Sequence, residues 1–260
     1  LDVAEEFCQK ISEFFPEKDV RVVEPSAGGG AFVTPIQRRW NSAEFLDVAP
    51  EHPSVTQADF LYKSFPKGTL FVGNPPFGKN SSLAVRFFDH CVRQNPVGIC
   101  MIHPKTFMKP RFWETLAPGY FLKHQYELNQ NSFNFNGIPY DVPCVAQVWV
   151  PGTRPTLPKN LTLFDRGDVP MFIRRVGASA GKLVDAFTPS STIMTRATQD
   201  TKDALIANYP GIRRLASMTA GVRSITLLEI EDVLLGRYGI GTNVTYSDEI
   251  LRREPDGLFS

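Results

Sequence analysis

The chain has 260 residues, 42% of them hydrophobic, with 28 Lys and Arg against 27 Asp and Glu for a net charge of +1. That length fits one α/β domain of about 150–160 residues with a smaller appendage, and the apolar content supports a buried core. No apolar run of about 18 residues and no signal peptide is visible, and the near-zero charge means that any basic surface must be made by folding.

Residues 1–15 place Val3, Phe7, Ile11, Phe14 and Phe15 at helical spacing and read as a helix. The chain opens on Leu1 where a complete chain would carry Met, as expected of a fragment or processed form. Residues 20–24 form a short β-branched strand that runs into Pro25-Ser26-Ala27-Gly28-Gly29-Gly30-Ala31-Phe32. Consecutive glycines allow positive φ and close backbone approach, and a Gly-rich strand-to-helix turn suits a nucleotide-like cofactor. The G-x-G-x-x-G spacing and the Gly-Lys-Ser/Thr run are both absent, so this is neither a dinucleotide fingerprint nor a P-loop. Glu24 would repel phosphate and suits a sulfonium or an amino group. Residues 43–46 are the next strand, ending at Asp47, which stands about 20 positions beyond the glycines, where a carboxylate accepts hydrogen bonds from ribose hydroxyls. Asp59 could accept from the amino group of a cofactor adenine, with Phe60 flanking the ring.

Residues 70–72 read as a buried strand, and Gly73 turns the chain into Asn74-Pro75-Pro76-Phe77. The Asn74 side-chain oxygen and the Pro75 carbonyl give two acceptors at fixed separation. Such a pair holds both hydrogens of a planar exocyclic amine so that its lone pair localises. Pro75 and Pro76 fix φ and remove two N–H groups. Phe77 offers a flat face for a base, worth about 1–3 kcal/mol. Lys79 could meet a phosphate, and Asn80 or Ser81 is expected to cap a helix over 83–92. A strand over 97–102 leads to His103 and Lys105 at the edge of the site. Strands over 125–128 and 142–150 are expected to pair antiparallel at the sheet edge. The four Cys and four His lack zinc spacing, so no metal is expected, and unpatterned cysteines suit an intracellular compartment, cytoplasm and nucleus alike. Cys91, Cys100 and Cys144 read as buried small residues.

The three prolines of 151–158 mark a linker. The expected division is therefore a domain over 1–150, a linker over 151–159, and a substrate-holding or recognition region over 160–260. Beyond the linker, 172–177 reads as a strand and 202–207 and 225–235 as helices. Arg174, Arg175 and Lys182 could contact a phosphate backbone.

In this order the Glu24–Phe32 loop, Asp47, Asp59-Phe60 and Asn74-Pro75-Pro76-Phe77 resemble the class I S-adenosylmethionine-dependent N6-adenine methyltransferases, chiefly over residues 20–80. The resemblance implies a Rossmann-like α/β fold with a seven-stranded, mostly parallel sheet. It implies S-adenosylmethionine held by Glu24, Ser26, Ala27, Gly28, Gly30, Asp47, Asp59, Phe60 and Asn74, with Phe7 in a segment closing over it. Its target is an adenine of DNA or RNA, flipped from its stack and held by Asn74, Pro75 and Phe77. Pro76, Lys79 and Lys105 would lie along the substrate, and Phe133, preferred to Phe135, would cover the other face of the base. Two further readings compete. A protein glutamine N5-methyltransferase solves the same planar-nitrogen problem, usually with Tyr in place of Phe77. An inactive methyltransferase-like subunit would position nucleic acid for a partner, against which the intact Glu24, glycines, Asp47 and Asn74 speak.

Overall fold

A computed structural model describes residues 2–129, 142–154, 156–219 and 221–237 in full, and 133–135, 138–140 and 243–245 as backbone. These residues fall into two compact units. The first holds α1 (Val3–Phe14), β1 (Arg21–Glu24), α2 (Val33–Gln37), β2 (Ser42–Asp47), β3 (Thr56–Gln57), β4 (Leu70–Gly73), α3 (Ser82–Arg93) and β5 (Gly98–Pro104). The chain then leaves for the second unit, where it forms α4 (Pro110–Trp113). It returns for β6 (Tyr120–Glu127), the hairpin β7 (Phe133–Phe135) and β8 (Ile138–Tyr140), and β9 (Cys144–Pro151). The rest of the second unit is β10 (Val169–Arg174), β11 (Leu183–Val184), β12 (Thr192–Ala197), α5 (Gln199–Ala207), α6 (Tyr209–Ala216) and α7 (Leu227–Leu234). A last strand, β13 (Asn243–Thr245), belongs to the first unit again.

The main sheet runs β3-β2-β1-β4-β5-β9-β6, the seven strands expected, and β13 adds an eighth at the β6 edge. From β3 to β5 every neighbour is parallel; β9 is antiparallel to both β5 and β6, so β6 points the same way as the parallel set. The fold is Rossmann-like α/β. The chain order reverses between β1 and β4, which opens a crevice at the carboxyl ends of these strands. Central parallel strands covered on both faces are apolar throughout, as Leu70, Phe71 and Val72 are.

Alternation along the strands sorts the core. One face takes Val22, Leu70, Val72, Cys100 and Ile102 together with Phe7, Ile11 and Ile36 from α1 and α2. The other receives Phe71, Phe88 and Trp149; the Phe88 ring from α3 lies 5.2 Å edge-on to Trp149. α1 starts on Asp2, whose carboxylate accepts from the Ala4 N–H, with Glu5 and Glu6 in the turn where the helix dipole favours acids.

Two expectations need correction. His103 does not stand at the strand's end; it is fully buried inside β5, where its Nδ1 lies 3.0 Å from Gln147 Oε1, and burial pulls its pKa down to about 3. Phe7 is fully buried under α1, edge-on to Tyr126, and is a core residue. The chain passes into the second unit after Arg154; 105–113 belongs to that unit too, and 243–245 to the first.

The second unit is built on a three-stranded antiparallel sheet, β11-β10-β12. Buried ion pairs fasten 105–113 to α7 within it. Lys109 Nζ lies 2.9 Å from Glu229, and Arg111 grips both Asp232 oxygens at 2.6 and 2.8 Å. Thr226 and Glu229 form a capping box at the start of α7. Removing one member of a buried pair strands the other, so Lys109→Ala should destabilise the second unit by about 3–5 kcal/mol, whereas joint replacement of Lys109 by Met and Glu229 by Gln, which removes both charges and keeps a capping-box acceptor for Thr226, should cost less. Denaturant unfolding of the three proteins checks this.

Candidate functional site

The parallel strands deliver the candidate residues to one edge. Asn74 follows β4, Glu24 ends β1, Asp47 ends β2 and Asp59 lies just beyond β3. The neighbouring ends of β1 and β4 converge closely. A Cβ on Gly73 would lie 3.1 Å from Glu24 Cγ and 3.4 Å from Pro25 Cδ, so glycine is what permits the approach. The Ser26 hydroxyl then donates to the Asn74 main-chain oxygen at 3.0 Å. The loop carrying the glycines is thereby tied to the Asn-Pro-Pro-Phe loop. Ser26, expected to hold a cofactor, joins the two loops through its hydroxyl hydrogen and keeps acceptor lone pairs.

The far end of the Asn-Pro-Pro-Phe loop is fixed as well. The Phe77 carbonyl accepts from Leu83 N at 3.1 Å and Ala84 N at 3.2 Å. This backbone carbonyl takes the capping role expected of Asn80 or Ser81. Both of those residues are left-handed, at φ +53° and +63°, and the Ser81 side chain makes no cap bond. Single left-handed residues other than Gly cost about 1–2 kcal/mol each, and such strain collects at functional loops. Pro75 is buried, Phe77 is half-buried against the core, and Pro76 and Lys79 are exposed.

Asp47 organises the glycine loop. One of its oxygens accepts from Gly28 N and the other from Ala49 N, each at 2.8 Å. Each carboxylate oxygen keeps further lone-pair capacity for a ligand hydroxyl. Ala27 N donates to Leu46 O at 2.8 Å, which fixes the loop against the β2 end. Gly30, at φ +81°, lies so close beneath His52 that a Cβ there would meet its ring at 2.6 Å. The segment 48–52 therefore folds over the loop, with Glu51 N donating to Gly28 O at 3.1 Å. Nothing in the local sequence signalled this cover. Val48 was missed too; it is 62% exposed directly beside Asp47 and offers an apolar face.

Two buried side-chain oxygens, Glu24 Oε2 and Asn74 Oδ1, have no hydrogen-bond partner among the described residues. Buried polar atoms are nearly always satisfied, so an unsatisfied pair on adjacent strand ends is what a polar ligand would complete. Burial first, and the nearby Asp47 charge second, push the Glu24 pKa up to about 8. A cation placed beside Glu24 would reverse that effect. S-adenosylmethionine fits this donor set: its amino group and sulfonium are positive, its ribose offers hydroxyls to Asp47, and Glu24 and Asn74 hold acceptors in reserve.

Other expected residues are placed differently. Phe60 does not flank a ligand ring. It is buried, with Phe65, Phe71, Phe87 and His90 around it at centroid distances of 5.5, 5.6, 5.2 and 4.7 Å. Asp59 is exposed, and its Oδ1 accepts from Leu61 N at 2.9 Å, capping the turn Phe60–Tyr62. Lys105 belongs to the second unit. Phe133 starts β7, and its side chain lies outside the described residues. All four cysteines are buried, and burial raises the thiols of Cys8, Cys91 and Cys100. Among the described residues no three His, Cys, Asp or Glu gather as a metal site, and no helix is long and apolar enough to cross a membrane.

No protein-family description matches this chain, and no curated protein does. Solved structures give low-scoring likenesses. The 23S rRNA methyltransferase ErmE is 17% identical, with 60% of this chain and 69% of that one covered at a TM-score of 0.46. The M protein of the type I restriction enzyme EcoKI is 15% identical, with 58% and 43% covered at 0.45. A dimethyladenosine transferase from Plasmodium falciparum is 16% identical, with 56% and 62% covered at 0.44. Likeness at this level carries no conclusion about function.

The Glu24 carboxyl has a testable signature. Its pKa is about 8 in the folded chain against an ordinary 4.5, so the folded state binds the proton more tightly than the unfolded state. Its contribution to stability is present in full below the unfolded value and is lost as pH rises toward the folded one. Glu24→Gln should therefore gain stability over the parent as pH rises from about 5 to about 9, with most of the gain in place by about 8. Thermal unfolding of both proteins across that range checks it; parallel curves would mean that Glu24 is solvated.

Proposed function

We propose that this chain is an S-adenosylmethionine-dependent methyltransferase acting on the N6 amino group of adenine in nucleic acid. The observation that carries the reading is the pair of buried, unpartnered acceptors, Glu24 Oε2 and Asn74 Oδ1, on strand ends joined by the Ser26 to Asn74 hydrogen bond.

Glu24 would receive the positive end of the donor, and Asp47 the ribose hydroxyls with the oxygen capacity that Gly28 and Ala49 leave. Val48 supplies an apolar face for the donor's base, and Asp59 an acceptor for its amino group. S-adenosylmethionine brings an electrophilic methyl group on its sulfonium sulfur. On the acceptor side, Asn74 Oδ1 and the Pro75 carbonyl would take one hydrogen each from the adenine amine. That localises the nitrogen lone pair and fixes its direction. Asn74 acts as an acceptor and not as a base, because an amide has negligible proton affinity; the displaced proton goes to water. Phe77 stacks on the base, and Phe133 is proposed for its other face. Lys79 is proposed to meet the substrate backbone. The acceleration comes from positioning and from dipoles fixed before reaction.

Labelled methyl transfer onto matched single- and double-stranded DNA and RNA, followed by nucleoside mass analysis, tests the proposal and separates DNA from RNA. Label in N6-methyladenosine or its deoxy form is expected. Label in a glutamine-bearing peptide alone would overturn the substrate assignment. Asn74→Ala should lower kcat by about 10²–10³-fold with a small change in donor affinity. Asp47→Ala should weaken donor binding by about tenfold or more, as read by calorimetry, because it removes the ribose acceptor and frees Gly28 N.

A further inference from the structure

The outer face of the β11-β10-β12 sheet is apolar where a solvated sheet face is ordinarily polar. Register sets Phe172 opposite Met194 on one side and opposite Val184 on the other. Met171 and Ile173 go into the core of the unit, so alternation turns Phe172 and Met194 outward. Met194 is 67% exposed. Phe187 is 45% exposed, and its ring centroid lies 5.9 Å from that of Phe172. The same face carries Arg174 two residues along β10 and Arg196 two residues along β12. Arg174 donates to Ser191 Oγ at 2.7 Å, which holds its stem in place, and Arg196 is exposed.

The surrounding charge is one-sided. Residues 105–113 and 156–237 carry 14 Lys and Arg against eight Asp and Glu, a formal net charge of +6. Three of those acids, Glu229, Glu231 and Asp232, are buried and paired with Lys109, Arg237 and Arg111, so the excess of six cations lies outside these pairs.

We infer that this face docks an unpaired stretch of nucleic acid, with Phe172 and Phe187 as a stacking platform and Arg174 and Arg196 at the backbone. The inference rests on the nucleic-acid substrate proposed above. Every base has a π face, so ring stacking needs no particular sequence, and guanidinium groups take phosphates. A duplex keeps its base faces stacked inside and offers these rings nothing.

Fluorescence anisotropy with the full chain tests it, using one oligonucleotide sequence as single-stranded DNA, single-stranded RNA and duplex, without S-adenosylmethionine. The single strands should bind more tightly than the duplex. Joint Phe172→Ala and Phe187→Ala replacement should weaken single-strand binding by about tenfold or more, and Tyr at both positions should preserve it. Arg196→Glu should weaken it further and flatten its salt dependence. Unchanged donor binding and thermal unfolding identify a variant that has kept its fold. Preference for duplex, or undiminished binding by the folded Ala variant, overturns the surface. If that variant also methylates oligonucleotides at the parental rate, the surface falls while the proposed function stands. If the parent binds S-adenosylmethionine but neither binds nor methylates any oligonucleotide, the proposed function falls and takes the surface with it.

Discussion

The site depends on how closely two strand ends approach. β1 and β4 are neighbours whose carboxyl ends converge because Gly73 has no Cβ to press against Glu24 Cγ, 3.1 Å away. The convergence brings the Ser26 hydroxyl within reach of the Asn74 carbonyl. Two loops that contribute different chemistry thus become one rigid piece. A catalyst that works by positioning loses its advantage when its parts move independently, because each lost constraint returns entropy to the encounter. A side chain at residue 73 would crowd Glu24 Cγ at 3.1 Å, so Glu24 would have to shift to admit it.

Such a site lowers stability on its own. Two buried oxygens without partners cost about 1–3 kcal/mol each, and the left-handed Asn80 and Ser81 add strain. The scaffold beneath offsets this. Phe60 anchors an aromatic cluster with Phe65, Phe71 and Phe87 behind β4, and aromatic pairs contribute about 0.5–1.5 kcal/mol each beyond burial. In the β5-β9-β6 part of the sheet, Gln147 receives a hydrogen bond from Trp149 and donates to Gln125. Buried polar networks of this kind fix register. The strand ends are therefore held by parts of the chain that take no part in the chemistry.

The same division separates what could be read in the sequence from what could not. The strands over 20–24, 43–46 and 70–72 were placed within a residue or two, because β-branched apolar runs bounded by glycine and proline are local signals. The order of the acidic and Asn-Pro-Pro-Phe residues was legible for the same reason. The direction of side chains was not. Phe60 sits beside Asp59 in sequence, yet a turn sends one into the core and leaves the other at the surface. Ser26 lies in the ligand loop, but its partner is 48 residues away. Residues 105–113 gave no sign of leaving the first unit, since Lys109 and Arg111 find their partners more than 100 residues later in α7. β12, α6 and β13 were not anticipated: α6 buries Ile212, Leu215 and Ala216 at helical spacing but in only eight residues, β12 has six residues, and β13 has three.

Reassigning 105–113 changes the electrostatic account. The whole chain has a net charge of +1, which conceals 12 Lys and Arg against 15 Asp and Glu over 2–104 and 114–154, and the excess of cations in the second unit. The deficit has a chemical meaning. Glu24, Asp47 and Asp59 gather at the strand ends, where they favour a cationic donor and disfavour a phosphate chain. Carboxylates cannot serve both ligands. A polyanionic substrate must then be gripped by residues other than those that hold the donor, and the grip has to outweigh repulsion from the donor side. On the proposed function, the cations that the first unit lacks are present in the second.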